Sequence, residues 1–115
     1  MTKFAVVISK GPFHGVEAEW PLRFVNQALE DGHKVQVFLA EDAVWIAKKG
    51  QQYDDQPNLE EYIKDAVKKG AEIKVCETCR RRRNLSEQDY LPGLAKGTMK
   101  EFIEAATKAD KVLTF

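Results

Sequence analysis

Short apolar runs alternate with longer amphipathic segments along the whole chain. Four of the runs have the length and composition of β-strands: Lys3–Ser9, His33–Ala40, Glu72–Cys76 and Lys111–Phe115. The first is a continuous β-rich run, which is typical of strands covered on both faces. It ends in the turn-forming cluster Gly11–Gly15.

Amphipathic helices are predicted between these strands. We expect them at about Glu17–Asp31, at about Asp42–Lys48, from Asn58 to Gly70, and from Thr98 to the turn at Asp110. The clearest apolar stripe with helical spacing comprises Leu59, Tyr62, Ile63, Ala66 and Val67. A second stripe comprises Met99, Phe102, Ile103 and Ala106. Asn58 with Glu61 has the spacing of a capping box, and Thr98 with Glu101 repeats that spacing.

Strands that alternate with helices of this length imply parallel β–α–β units with right-handed crossovers. We therefore predict an α/β fold, a three-layer α/β/α sandwich with a mainly parallel sheet of four or five strands. The 115 residues suit a single domain over positions 1–115. Two segments carry no regular pattern: the polar stretch Lys49–Pro57, expected to be a mobile loop, and Asn84–Gly97, expected to be irregular.

Charge and hydropathy narrow the class of protein. The 18 basic residues balance 18 acidic ones, which argues against a dedicated nucleic-acid binder. No apolar run approaches the roughly 18 residues that a membrane span needs, and the run Phe4–Ile8 is too short for a signal-peptide core. We therefore expect a cytoplasmic protein that does not bind a membrane.

The predicted topology indicates where chemistry should take place. In an open parallel sheet, ligands gather beyond the carboxyl ends of the strands. Three segments follow such ends: Gly11–Gly15, Ala40–Asp42 and Cys76–Cys79. His14 in the first segment is therefore a candidate binding or electrostatic residue, although an ordinary polar role is the simpler interpretation of a single histidine.

The cysteine pair is the strongest candidate for chemistry. Cys76 ends a predicted strand and begins a helical turn, whose free N–H groups and dipole favour a thiolate. The run Arg80–Arg83 follows at once, and nearby cations lower the pKa of a cysteine. The hypothesis is a reactive thiolate at Cys76, with Cys79 close enough to exchange with it and with Arg82 and Arg83 as candidate electrostatic residues.

Other interpretations of the same residues stay open. A cysteine at the end of a strand often simply packs in the core, and an arginine run is often a solvated or interface surface. A zinc site normally has four ligands. A single CxxC with scattered histidines does not supply that set, so we expect no metal. The CxxC also lies late in the chain for a thioredoxin, and no phosphate-binding glycine loop occurs, so we expect no cofactor.

Four segments together resemble the DsrE/DsrF-like family, which includes the TusD-type subunits of the bacterial sulfur relay. They are FAVVISKGPFHG, ALEDGHKVQVFLAEDAV, VCETCRRRRNL and MKEFIEAATKADKVLTF. The resemblance implies that Cys76 carries sulfur as a persulfide, with Arg82 and Arg83 on the family's arginine positions and Asn84 in place of its glycine. Cys79 has no counterpart in TusD-type chains. The resemblance also implies a homotrimer, a homohexamer or a heteromeric assembly, with sulfur donor and acceptor proteins as partners.

Three functions follow as hypotheses. The first is a persulfide sulfur carrier, sulfurtransferase-like, that acts through Cys76. The second is a thiol-disulfide redox protein or sensor that uses Cys76 and Cys79 together. The third is a non-catalytic oligomeric binding module in which both thiols only pack.

Overall fold

The computed structural model describes residues 1–115 and contains five strands and four α-helices. The strands are β1 Lys3–Ile8, β2 Lys34–Leu39, β3 Glu72–Cys76, β4 Ala95–Gly97 and β5 Lys111–Thr114. The α-helices are α1 Val16–Glu30, α2 Leu59–Lys68, α3 Glu77–Arg82 and α4 Met99–Lys108. Three 3₁₀ helices lie between them, at Pro12–His14, Glu41–Ala47 and Glu87–Asp89. No helix is both long enough and apolar enough to cross a membrane.

All five strands form one parallel sheet in the order β4-β3-β2-β1-β5. The α/β prediction with a parallel sheet is therefore confirmed. Alternation of side chains puts Val37 on one face of β2 and Phe38 on the other. Val37 lies in the main core with Val25 of α1 and Ile63 of α2, whereas the ring of Phe38 packs 5.0 Å from that of Phe102 in α4. Helices thus cover both faces of the sheet.

Two segments differ from the sequence prediction. The short helix expected at Asp42–Lys48 is a 3₁₀ helix over Glu41–Ala47. The segment Asn84–Gly97, expected to be irregular, contains the 3₁₀ helix Glu87–Asp89 and ends in the edge strand β4. β4 has only three residues, Ala-Lys-Gly, and a strand this short has no hydrophobic alternation to reveal it.

The two predicted capping boxes have opposite outcomes. At α4 the Thr98 hydroxyl accepts from the backbone N–H of Glu101, and the Glu101 carboxylate accepts from that of Thr98, so this box is confirmed. At α2 the Asn58 side chain makes no cap, so that box is wrong. Its Oδ1 instead accepts from the backbone N–H of Tyr53 at 2.8 Å, because the preceding loop turns back over the helix end.

The apolar side chains of the helices are unequally covered. In α2, Leu59, Ile63 and Ala66 are buried, as the first stripe predicts. In α4, by contrast, Met99 is 71% exposed and Ile103 is 56% exposed, because this helix is the only one on its side of the sheet. The second stripe is therefore only partly buried.

Candidate functional site

The carboxyl ends of β1, β2 and β3 lie side by side. Ile8 pairs with Leu39, and Leu39 pairs with Val75, so the segments that follow these strands share one edge of the sheet. Gly11 lies so close to Asp42 that a Cβ at Gly11 would be 2.8 Å from the Asp42 carbonyl oxygen. The topology therefore places Gly11–Gly15, Ala40–Asp42 and Cys76–Cys79 at one edge, as the sequence predicts.

Cys76 lies at the junction of β3 and α3. It is the N-cap residue of α3, and its Sγ accepts a hydrogen bond from the backbone N–H of Cys79 at 3.3 Å. The side chain is half-buried and packs against the main core, whereas Cys79 is buried within that core. Both thiols are free. Cys76 is thus the more accessible sulfur of the pair.

The pKa of the Cys76 thiol is raised, which contradicts the expected stabilised thiolate. Burial is the largest cause, and a hydrogen bond with the Cys79 thiol raises the pKa further. The backbone N–H groups of Cys79 and Thr78 act in the opposite direction but do not outweigh these two effects. The protonated thiol of Cys76 is therefore favoured.

No arginine is among the causes that shift the pKa of Cys76, and carboxylates pair with Arg80 and Arg83. Arg80 pairs with Glu77 and, at 3.0 Å, with Glu87. The side chain of Arg83 donates to Asp42 at 2.9 Å, to Glu41 at 3.4 Å and to the Cys79 carbonyl at 3.1 Å. The guanidinium of Arg83 therefore ties α3 to the segment after β2, which is a structural role.

The remaining predicted site residues lie in solvent. Arg82 is exposed at the end of α3, and His14 is exposed at the end of the 3₁₀ helix Pro12–His14. His14 shares the carboxyl edge with Cys76, but neither His14 nor Arg82 forms a side-chain hydrogen bond or ion pair within the chain. The structure therefore does not bring Arg82 or His14 into contact with the sulfurs.

Sequence reasoning missed Glu77 and Tyr90, whose buried polar atoms lack partners. Glu77 Oε2, Arg80 Nε and the Tyr90 hydroxyl are the three buried side-chain polar atoms in the structure that have no hydrogen-bond partner. The sequence does indicate the Glu77–Arg80 ion pair, because opposite charges at i and i+3 on a helix lie next to each other. No sequence pattern indicates that the Tyr90 hydroxyl is buried, because Tyr90 lies in a segment without hydrophobic periodicity.

A well-defined cleft lies away from the cysteines. It has a volume of about 430 Å³ and is lined by Lys3, Lys34 and Glu72, which begin β1, β2 and β3. These residues mark the amino edge of the sheet, opposite to Cys76. No three His, Cys, Asp or Glu side chains are grouped where they would hold a metal ion.

Comparison with known proteins identifies the family of this chain. The profile of the DsrE/DsrF-like family matches residues 2–115. The uncharacterised protein MK0008 of Methanopyrus kandleri is 39% identical over 96% of this chain and 91% of its own length. The crystal structure of YchN from Escherichia coli superimposes with a TM-score of 0.93 at 27% identity, and the alignment covers 100% of both chains. The chain belongs to the DsrE/DsrF-like family.

Proposed function

We propose that this protein is a persulfide sulfur carrier and that Cys76 holds the sulfur. The position of Cys76 supports this function most directly. It is the half-buried thiol at the carboxyl edge of the sheet, where a backbone N–H already donates to its sulfur. Membership of the DsrE/DsrF-like family is compatible with a place in a sulfur relay.

The transfer step needs no cofactor. The Cys76 thiolate attacks the outer sulfur of a persulfide on a donor protein, a relative of thiol–disulfide exchange. A bond forms between Cys76 Sγ and that outer sulfur, the donor's S–S bond breaks, and the donor leaves as a thiolate. In the second transfer, the thiolate of an acceptor protein attacks the outer sulfur held on Cys76. A new S–S bond forms on the acceptor, and Cys76 leaves as a thiolate. The partners are therefore a sulfur donor and a sulfur acceptor protein, each with a reactive thiol.

The raised pKa of Cys76 slows sulfur loading but does not prevent the transfer step. Most of the thiol is protonated near neutral pH, so the reactive fraction is small. A thiolate of higher pKa is, however, intrinsically more nucleophilic once it forms. We therefore expect the rate of sulfur loading to rise as the pH rises through the alkaline range.

Intact-mass spectrometry after incubation with a small-molecule persulfide donor tests this function. Wild type should gain the mass of one sulfur atom, and a reducing agent should remove it. Cys76→Ser should gain none, because the attacking sulfur is absent. Cys79→Ser is the matched control and should still load. Equal loading of Cys76→Ser and wild type would show that Cys76 is not the carrier.

A thiol-disulfide function is the second candidate, and one contact favours it. The backbone N–H of Cys79 donates to Cys76 Sγ at 3.3 Å, so the two residues that a disulfide would join are in direct contact. Partner disulfides would oxidise the pair, with loss of two protons and two electrons. For this function, both Cys76→Ser and Cys79→Ser should abolish activity, and wild type should form a reversible internal disulfide in a glutathione redox buffer.

The carrier is further proposed to act as a homotrimer or homohexamer. Two exposed apolar surfaces support this assembly. The α1 surface comprises Phe13, Val16 and Trp20, and the α4 surface comprises Met99, Ile103 and Val112. The two surfaces belong to different elements, so contact of the α1 surface of one copy with the α4 surface of the next is head-to-tail, and such contacts form a closed ring when the rotation between copies closes.

A further inference from the structure

A series of hydrogen bonds at the carboxyl edge of the sheet ends on the sulfur of Cys76. Asp42 Oδ1 accepts from Arg83 Nε at 2.9 Å, and Nη1 of the same guanidinium donates to the Cys79 carbonyl at 3.1 Å. The backbone N–H of Cys79 in turn donates to Cys76 Sγ at 3.3 Å. One arginine therefore connects the segment after β2 to the residue that contacts the candidate sulfur.

The Asp42 end of this series is held firmly in place. Gly11 packs so closely on Asp42 that a Cβ at Gly11 would be 2.8 Å from the Asp42 carbonyl oxygen. Glu41 has a φ of 50°, in the left-handed region that residues other than glycine rarely adopt. Such a conformation persists only where the surrounding structure imposes it, and it is concentrated at functional sites. Glu41 also accepts from Arg83 at 3.4 Å, so two successive carboxylates hold one guanidinium.

The Arg83 end of the series stabilises a short helix. α3 has six residues, and isolated helices shorter than about 12 residues are only marginally stable in water. The last carbonyls of a helix also lack partners within the helix. Here the backbone N–H of Arg83 donates to the Arg80 carbonyl at 3.1 Å, and its guanidinium supplies the hydrogen bond to the Cys79 carbonyl. The position of Cys79 therefore depends on a side chain that is anchored outside α3.

We propose that Arg83 is a positioning residue of the sulfur site: anchored by Asp42, it keeps the backbone N–H of Cys79 directed at the sulfur of Cys76. The proposal deepens the sulfur-carrier function and rests on it for the identity of the reacting sulfur. A hydrogen-bond donor favours the ionised form of the group that accepts from it. The same N–H therefore stabilises Cys76 as the attacking thiolate in the first transfer and as the leaving thiolate in the second.

The pH dependence of Cys76 alkylation separates this role from a purely structural one. Iodoacetamide labelling of Cys76, located by peptide fragmentation, would be followed across the alkaline range in wild type, Arg83→Met and Arg81→Met. Methionine lacks the guanidinium but keeps an unbranched apolar side chain, so the burial of the sulfur is retained. Arg83→Met should raise the apparent pKa of Cys76 by about half a unit, which corresponds to roughly threefold less thiolate at a given lower pH.

Arg81→Met is the matched control for the loss of one positive charge from α3. Arg81 is exposed, and its side chain forms no hydrogen bond or ion pair in the structure. The alkylation profile of this variant should therefore match that of wild type.

Hydrogen exchange at the Cys79 amide, followed by NMR, tests the contact itself. This amide should exchange about tenfold faster in Arg83→Met than in Arg81→Met, because local opening of α3 frees it, whereas the amides of β2 should be unchanged. Asp42→Asn leaves Arg83 in place but weakens its anchor, so it should cause a smaller change in the same direction.

The outcomes distinguish this proposal from the carrier function. An alkylation profile or a Cys79 exchange rate that is the same in Arg83→Met and Arg81→Met would overturn the positioning role, as would a lowered pKa of Cys76 in Arg83→Met. If Cys76 fails to load sulfur but both measurements change as expected, the carrier function fails and the positioning role stands. If Cys76 loads sulfur and neither measurement changes, the positioning role fails and the carrier function stands.

Discussion

At the scale of single residues, the charge of Glu77 should link stability to pH. Its hydrogen bond with Arg80 is the largest of the effects that lower the pKa of Glu77. The folded chain therefore binds fewer protons at this carboxyl than the unfolded chain does. The resulting stability is fully present above the unfolded-state pKa of Glu77, and it is lost as the pH falls through the folded-state pKa. Glu77→Gln should lower the free energy of unfolding near neutral pH and should have little effect in strong acid. Urea unfolding at both pH values measures this difference.

The exposed Glu61 of α2 provides the control for this prediction. It forms no ion pair in the structure, so Glu61→Gln should change the pH dependence of unfolding less than Glu77→Gln does. Equal pH dependence in Glu77→Gln and wild type would show that the Arg80 ion pair does not stabilise the fold.

The residue scale also shows what the sequence can and cannot predict at this site. The place of Cys76 was predictable, because a cysteine that ends a strand of a parallel sheet must lie at the carboxyl edge. The surroundings of its sulfur were not. Arg83 is neutralised by Asp42, which is 41 residues away in the chain, so only the fold brings that carboxylate close. Burial by the surrounding fold is also the largest cause that raises the pKa of Cys76, and the local sequence does not reveal it.

At the scale of single elements, α4 depends on its capping box. The Thr98 hydroxyl accepts from the N–H of Glu101 at 3.2 Å, which satisfies a donor that the helix leaves free. Thr98→Ala should therefore lower the free energy of unfolding by about 1 kcal/mol, as measured by urea denaturation. Thr107→Ala is the matched control in the same helix. It removes an exposed hydroxyl that is not a cap, and alanine favours the helix, so stability should be unchanged or slightly higher. Equal loss in both variants would contradict a capping role.

Elements with a strong hydrophobic period were predictable, and elements fixed by their neighbours were not. The stripe Leu59–Val67 predicted α2, and β-rich runs predicted four of the five strands. β4 is held by pairing with β3 alone, so its own sequence contains no strand signal. Asn58 illustrates the same limit. Its side chain binds the backbone of Tyr53 instead of capping α2, and this depends on the path of a loop that has no hydrophobic periodicity.

At the scale of the whole molecule, the two apolar surfaces predict how copies would join. In a head-to-tail ring, every contact uses the α1 surface of one copy and the α4 surface of the next. Trp20→Glu and Ile103→Glu each damage one of these surfaces, and both side chains are exposed in the single chain, so the fold should tolerate the change. Each variant alone should be monomeric in native mass spectrometry, whereas Ile103→Leu should assemble like wild type.

Mixing the two variants distinguishes a head-to-tail contact from a symmetric one. Trp20→Glu keeps an intact α4 surface, and Ile103→Glu keeps an intact α1 surface, so an equimolar mixture should form a dimer of one copy of each. If each surface instead paired with itself, Ile103→Glu alone would dimerise through its α1 surface and mixing would add nothing. A wild type that is monomeric at micromolar concentration would contradict the assembly altogether. Because each variant keeps only one intact surface, growth must stop after one contact, and the mixed dimer is the species that a head-to-tail contact produces and a symmetric contact does not.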